Sequence, residues 1–184
     1  MAKEKIDRRI LKSQAAIKST FIHLLSEKSF DKIRVKDICE QADIGNRTFY
    51  LHYLDKFDLL DKLIDEHLLE LKEICEKKKN LGVIEGTRIW FNYFQENQAF
   101  FSSLFKGNTT SSFKRQLLTF IIEEINWKVD LATIEKQGLT ETVYFRFLGM
   151  AIIGVIELYL ENPDEMDSDV LADQVSILVG HNLM

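Results

Sequence analysis

Proline occurs once in the 184 residues, at position 163, and glycine eight times. A chain so poor in obligatory breaks has little with which to build the closely spaced turns of a sandwich or barrel. Leucine, isoleucine, lysine and glutamate abound instead, so the sequence predicts an all-α protein. Cysteine occurs only as Cys39 and Cys75, far apart and each inside an apparent helix, which supports neither a disulfide framework nor a CxxC metal site. Both read as small core residues. Long apolar runs are scarce too. The longest uncharged one, Phe147 to Ile156, is too short to cross a bilayer, and the charged opening MAKEKIDRRILKSQ lacks a signal-peptide core. A cytoplasmic chain with no membrane partner is the expectation. HExxH, GxSxG and GxxxxGK[ST] do not occur, and the four histidines, at 23, 52, 67 and 181, are not at ligand spacing. Neither an enzyme nor a cofactor is therefore expected.

What the chain does have is a hydrophobic content of 46%, enough for a sizeable core, and an uneven charge. The net charge is −5, but residues 1–56 hold twelve Lys and Arg against eight Asp and Glu, a local +4, and the remainder carries −9. A basic amino-terminal third on an acidic body fits a protein of which one end meets a polyanion. A solvated charged surface is the alternative.

Hydrophobic spacing organises the chain into about nine helices. Ile6, Ile10, Ile17, Phe21, Leu24 and Leu25 form one helical stripe that ends at SEKSFD. Val35, Ile38, Cys39 and Ala42 mark a short second helix. Asp43-Ile44-Gly45 interrupts it, with Gly45 expected to supply the tight turn and Asn46 to cap a third short helix running to about Tyr53. Two short helices across a glycine-containing turn make a helix-turn-helix. Asp55 is expected to cap a long fourth helix through Ile74, with Asp58 in its first turn. Further helices are predicted at 87–97, 98–106, 110–130 and 139–161. Pro163 ends the last of these, and Ser168 caps a final one over 169–183. A head of residues 1–56 and a body of residues 57–184 follow, the boundary lying within the fourth helix, 56–80.

Ile38, Ala42, Ile44 and Phe49 supply the small core that a helix-turn-helix needs, and Tyr53 reads as core. On a helix beginning at Asn46, the residues Asn46, Arg47, Thr48, Tyr50 and Leu51 cannot all be buried, and the exposed ones can meet a base edge or a phosphate. His52 and Lys56 follow within reach of a backbone phosphate. The stretch IRVKDICEQADIGNRTFYLHYLDKFDLL resembles the DNA-binding signature of the tetracycline-repressor (TetR) family of bacterial regulators: a Thr-aromatic-Tyr-x-His/Tyr-aromatic run followed by Lys-x-x-Leu-Leu. Thr48, Phe49, Tyr50, His52, Tyr53, Lys56, Leu59 and Leu60 stand in those positions, and the likeness extends over about residues 8 to 65. The resemblance implies that Lys36 touches phosphate or a base and that Asn46, Arg47 and Thr48 enter the major groove. It also implies that Tyr50, His52 and Lys56 hold the phosphate backbone. Arg34 stands where the family often has a capping threonine, and is a further candidate phosphate contact.

For the body, the resemblance implies a helical unit that dimerises and receives an inducer. FLGMAIIGVIELYL interleaves Gly149, Ala151 and Gly154 with large apolar residues. It is expected, with the last helix, to form half of an intermolecular four-helix bundle. Gly149, Ile152, Ile153, Ile156, Leu171, Val175 and Leu178 are the interface candidates, and an ordinary central helix is the alternative. Trp90, Tyr93, Phe94, Phe105, Phe120, Trp127 and Tyr144 could line an apolar inducer pocket or simply form core. WFNYFQENQAFFSSLF is similar to a body type found in TetR relatives resembling the dihydroxyacetone-kinase operon activator, which implies a protein partner instead of a small inducer. The expected function is therefore a homodimeric, sequence-specific regulator that binds a double-stranded DNA operator, a repressor released by a small molecule or protein. The alternatives are an activator working with a protein partner and a helical adaptor that does not bind DNA.

Overall fold

The computed structural model describes residues 8–77, 83–106, 110–126, 131–136, 138–162 and 165–183. Among them the chain forms ten α-helices: α1 (Arg8–Glu27), α2 (Val35–Gln41), α3 (Asn46–Tyr50), α4 (Lys56–Lys77), α5 (Val83–Glu96), α6 (Gln98–Lys106), α7 (Thr110–Asn126), α8 (Leu131–Lys136), α9 (Glu141–Glu161) and α10 (Ser168–Leu183). A single 3₁₀ turn, Phe30–Lys32, separates α1 from α2. The expected helix over 110–130 is described as far as Asn126, residues 127–130 lying outside the described ones, and α8 is one element more than the hydrophobic pattern suggested. α5 begins at Val83, before the expected Thr87, with Glu85 in its first turn, where the helix dipole favours a carboxylate. Lys3, Lys5, Trp127 and Pro163 lie outside the described residues.

The amino-terminal helices close on a core whose centre is Ile17, Phe21, Ile38, Phe49 and Leu59, all without solvent contact. Side chains of this size each contribute roughly 1.5–3 kcal/mol on full burial. That core fixes α3 by its one deeply buried residue, Phe49, and leaves the opposite side of the helix outside. Phe30 extends the core edge-on between Phe21, at 6.2 Å, and Phe57, at 5.0 Å.

The turn between α2 and α3 differs from its expected chemistry. Asp43, not Gly45, has the left-handed backbone, with φ of 52°. The Ile44 N–H donates to the Cys39 carbonyl at 3.0 Å and the Asp43 N–H to that of Glu40 at 3.4 Å, the six-to-one and five-to-two pattern that terminates a helix. A short polar residue tolerates this position better than most. Gly45 is extended and itself occupies the cap position of α3, and a Cβ there would meet nothing within 4 Å. Asn46 is consequently the first helical residue instead of the cap. At α4 the expectation holds: Asp55 Oδ1 accepts from the N–H groups of Phe57, at 2.8 Å, and Asp58, at 2.9 Å. Asp167, not Ser168, caps α10, accepting from Asp169 at 2.8 Å and Val170 at 3.1 Å.

α4 belongs to both halves. Its start meets the head through Phe57 on Phe30 and through the Lys18–Glu66 ion pair. Farther along, His67 and Cys75 face α5 and Lys72 pairs with Glu123 of α7 at 3.7 Å. α1 also lies on α6, a second seam between head and body. Within the body α10 runs along α5, tied by Arg88 to Asp169 and Asp173, each at 3.0 Å. α9 packs on α7, where Lys114 Nζ reaches both oxygens of Glu157 at 2.7 Å. Gly149 allows this closeness, because a Cβ there would stand 2.5 Å from Leu118 Cδ1. α9 is also the one helix among the described residues long and apolar enough to cross a membrane. Half of its most apolar window is buried within the fold and Glu157 is ion-paired along its length, which is the environment of a core helix.

The left-handed Asp43 gives a direct test of the turn. Asp43→Ala is expected to be less stable than Asp43→Gly by about 1 kcal/mol, since only the alanine carries a Cβ into that backbone region. Urea unfolding of the two variants measures the difference.

Candidate nucleic-acid interface

Most of the residues expected to touch DNA are exposed. Arg34, at the cap position of α2, and Lys36, one residue into that helix, are exposed. Lys36 has only a loose 3.6 Å pairing with Glu40. On α3, Asn46, Arg47, Tyr50 and Leu51 are exposed and Thr48 is partly buried. Their common outward position follows from Phe49: on a helix of 3.6 residues per turn, Arg47 and Leu51 share a side and Phe49 stands opposite both. Leu51 remains in helical backbone, its N–H donating to the Arg47 carbonyl at 3.1 Å.

The start of α2 is fixed by Asp37. Its carboxylate takes the Lys28 ammonium at 2.8 Å and the Arg34 N–H at 3.1 Å. Those two hydrogen bonds, Lys28 first, hold its pKa below the ordinary aspartate value. Asp58 does the same at the start of α4 with Lys62 and the Leu54 N–H. Lys62 also donates to the His52 carbonyl at 3.2 Å and lies 5.3 Å from the centre of the Tyr53 ring. Tyr53 is buried, as expected of core, and burial foremost, with Glu66 and Asp58 adding to it, pushes its phenol up to about 12.

Two of the expected phosphate contacts are engaged within the chain. Lys56 Nζ donates to the carbonyls of Phe30, at 2.9 Å, Asp31, at 3.2 Å, and Ile33, at 2.9 Å, and sits 4.5 Å from the centre of the Phe30 ring. An ammonium has three protons, and these three carbonyls use them all. His52 is half-buried, with Nε2 2.8 Å from Ser13 Oγ, which joins the segment after α3 to α1. Sequence spacing offered both residues as phosphate contacts. It did not reveal Ser13 or the three carbonyls, which come from segments 23 to 39 residues away.

In the body, Tyr93, Phe94, Phe105, Phe120 and Tyr144 are buried and Trp90 is partly so. They are occupied with one another and with neighbouring helices: Trp90 stacks near Phe120 at 5.5 Å and donates to Cys75 Sγ at 2.8 Å, and Phe94 meets Phe101 at 4.6 Å. Tyr93 Oη stands 2.7 Å from His67 Nδ1 and 3.1 Å from Glu70 Oε2, a polar bridge between α4 and α5. Burial pushes the His67 imidazole below its ordinary value and the Tyr93 phenol well above its own. The described surface grooves lie elsewhere. One, of about 420 Å³, runs between the end of α1 and α6, lined by Leu25, Ser102 and Lys106 among others, and an adjoining one of about 270 Å³ shares Leu25 and Lys106.

Of the seven residues expected at a dimer interface, Gly149, Ile152, Ile153, Ile156, Leu171 and Val175 are buried within the chain, and only Leu178 is exposed. They form the side of the bundle that packs inward. The apolar surface that α9 turns outward is a different stripe, Val143, Phe147, Met150, Ala151, Gly154 and Leu158, continued on α10 by Ile177 and Leu178. An apolar cleft of about 190 Å³ runs between the two helices beside it.

The Lys56 geometry carries a prediction independent of any DNA. Lys56→Met keeps the stem but removes a donor from each of three carbonyls, and should lower stability by about 1–3 kcal/mol. Thermal unfolding followed by circular dichroism would register it in the absence of nucleic acid.

Comparison with known proteins agrees with this architecture. The family model TetR_C_8, a transcriptional regulator C-terminal region, matches residues 83–181, more than half of the chain. The uncharacterised HTH-type transcriptional regulator YxbF of Bacillus subtilis (strain 168) is 37% identical over 71 residues, 38% of this chain and 19% of that protein. The dhaKLM operon transcriptional activator DhaS of Lactococcus lactis is 27% identical over 93 residues, 50% of this chain and 49% of that one. These alignments thus span about half or less of the curated relatives' lengths. A TetR transcriptional regulator from Streptococcus agalactiae superposes with a TM-score of 0.70 at 25% identity, over 94% of this chain and 96% of that chain. From the head's exposed α3, the ten α-helices among the described residues and these matches together, the chain belongs to the TetR family of transcriptional regulators.

Proposed function

We propose that the chain acts as a homodimer on a pseudo-palindromic operator in the cytoplasm, each head laying α3 in the major groove. The supporting observation is the outward side of α3, where Arg47, Tyr50 and Leu51 stand exposed on a helix whose core residue is fully buried. A guanidinium can donate two hydrogen bonds to a guanine edge. Arg34 and Lys36 flank α3 as cations able to meet phosphate, and Asn46 and Tyr50 add hydrogen-bonding groups. With two such heads the half-sites stand roughly 34 Å or a multiple apart.

Pairing of two copies is assigned to the outward stripe of α9 and α10. Phe147 is 66% exposed and Leu178 62%, and a continuous apolar strip of this kind on a soluble protein is the mark of an interface. Gly154 lies in its middle, exposed and with open space around its missing Cβ, so a second backbone can approach there. Such a patch pairs with itself about a two-fold axis. A small molecule or protein held by the body alters head spacing through α4 and the α1–α6 seam and releases the operator. Blocking polymerase needs only occupancy, so repression is the first reading. The likeness to DhaS, an operon activator, favours activation as the second.

Arg47→Ala should cost about 1–3 kcal/mol and relax preference at one base pair per half-site. Lys36→Ala should weaken all duplexes alike and reduce the salt slope by about one. Fluorescence anisotropy at several salt concentrations separates the two effects. A wild-type chain that binds no duplex at low salt refutes the proposal in favour of the adaptor. For the dimer, Gly154→Arg is expected to give a folded monomer in sedimentation velocity, because the arginine enters open space in one subunit and obstructs only a second.

A further inference from the structure

The two most exposed large apolar side chains among the described residues are Leu54, at 81%, and Leu51, at 74%. Both lie in the α3 segment and the turn that follows it. Leu51 has no role in the head's own core, which Phe49 and Tyr53 fill from the other side. It continues the helical backbone of α3 and stands on the same side as Arg47, one turn on.

We propose that Leu51 is a base-reading residue, and that what covers it is the C5-methyl group of a thymine. The assignment rests on the major-groove placement of α3 argued above. The floor of the major groove is a pattern of donors and acceptors, and the thymine methyl is its one apolar feature. A leucine held there gains by burying that methyl and gains nothing from guanine, cytosine or adenine. Arg47 and Leu51 are four residues apart, about 6 Å along the helix axis, a little under two base-pair steps of about 3.4 Å. The thymine therefore lies within two base pairs of the guanine that Arg47 reads. Leu51 thus acts through shape and dehydration, whereas Arg47 acts through hydrogen bonds. The pair together specify a short thymine-and-guanine element in each half-site.

The test uses the full-length chain. A preferred duplex is first selected from a random pool, then resynthesised with deoxyuridine replacing each thymine in turn, which removes only the methyl. One thymine per half-site, within two base pairs of the position relaxed by Arg47→Ala, should lose about fourfold in affinity on becoming deoxyuridine, the value of burying one methyl-sized group. Leu51→Ala should bind thymine and deoxyuridine duplexes equally, keep its preferences elsewhere and unfold at the wild-type temperature. Wild-type indifference to every deoxyuridine, or full discrimination surviving in Leu51→Ala, overturns the assignment of Leu51 and leaves operator binding standing. Selection that enriches no sequence overturns operator binding, and this assignment with it.

Discussion

The head is organised around one ammonium group. Lys56 opens α4, yet its charge is spent on three carbonyls of the segment that leads into α2. Those carbonyls lie in and just after a 3₁₀ turn, where that of Phe30 already accepts from the Ile33 N–H at 3.1 Å, and the ammonium adds a donor to each in the partly buried gap beside Phe30. A single flexible cation with three protons reaches all of them and adds attraction to the Phe30 ring. This ties the start of the long helix to the entry of the helix-turn-helix.

α4 then carries the consequence into the body. Its charged groups alternate between duties: Glu66 reaches back to Lys18 of α1, while Lys72 reaches Glu123 of α7. Between them His67 is wedged against Phe100, its ring stacked at 4.5 Å, and bound to Tyr93 of α5. α5 and α6 thus both pack, through His67, on the helix whose start is tied to the head.

Much of this was readable from the residues alone. The stripe Ile17, Phe21, Leu24 and Leu25, the Asp55 cap and the apolar α9 all follow from local spacing, and the all-α architecture with its helix-turn-helix is as expected. The outward side of α3 was legible for the same reason, since five residues cannot hide every side chain. What escaped was whatever depends on partners distant in sequence. Nothing near Lys56 announces three carbonyls, and nothing near His52 announces Ser13. The choice of Asp43 over Gly45 for the left-handed position also ran against propensity, because glycine is the better prior and an aspartate tolerates the conformation only moderately well. On α9 the difficulty was of another kind. A helix apolar on every side has no periodicity with which to tell its inner face from its outer, so Ile152 and Phe147 look alike until α7 and α10 are in place.

That two-sidedness has a consequence for the pairing proposed above. A single copy displays an uncovered oily band on α9 and α10. If two copies close on it as proposed, abundance and solubility become linked: scarce subunits leave the band open to chaperones and proteases, whereas plentiful ones bury it.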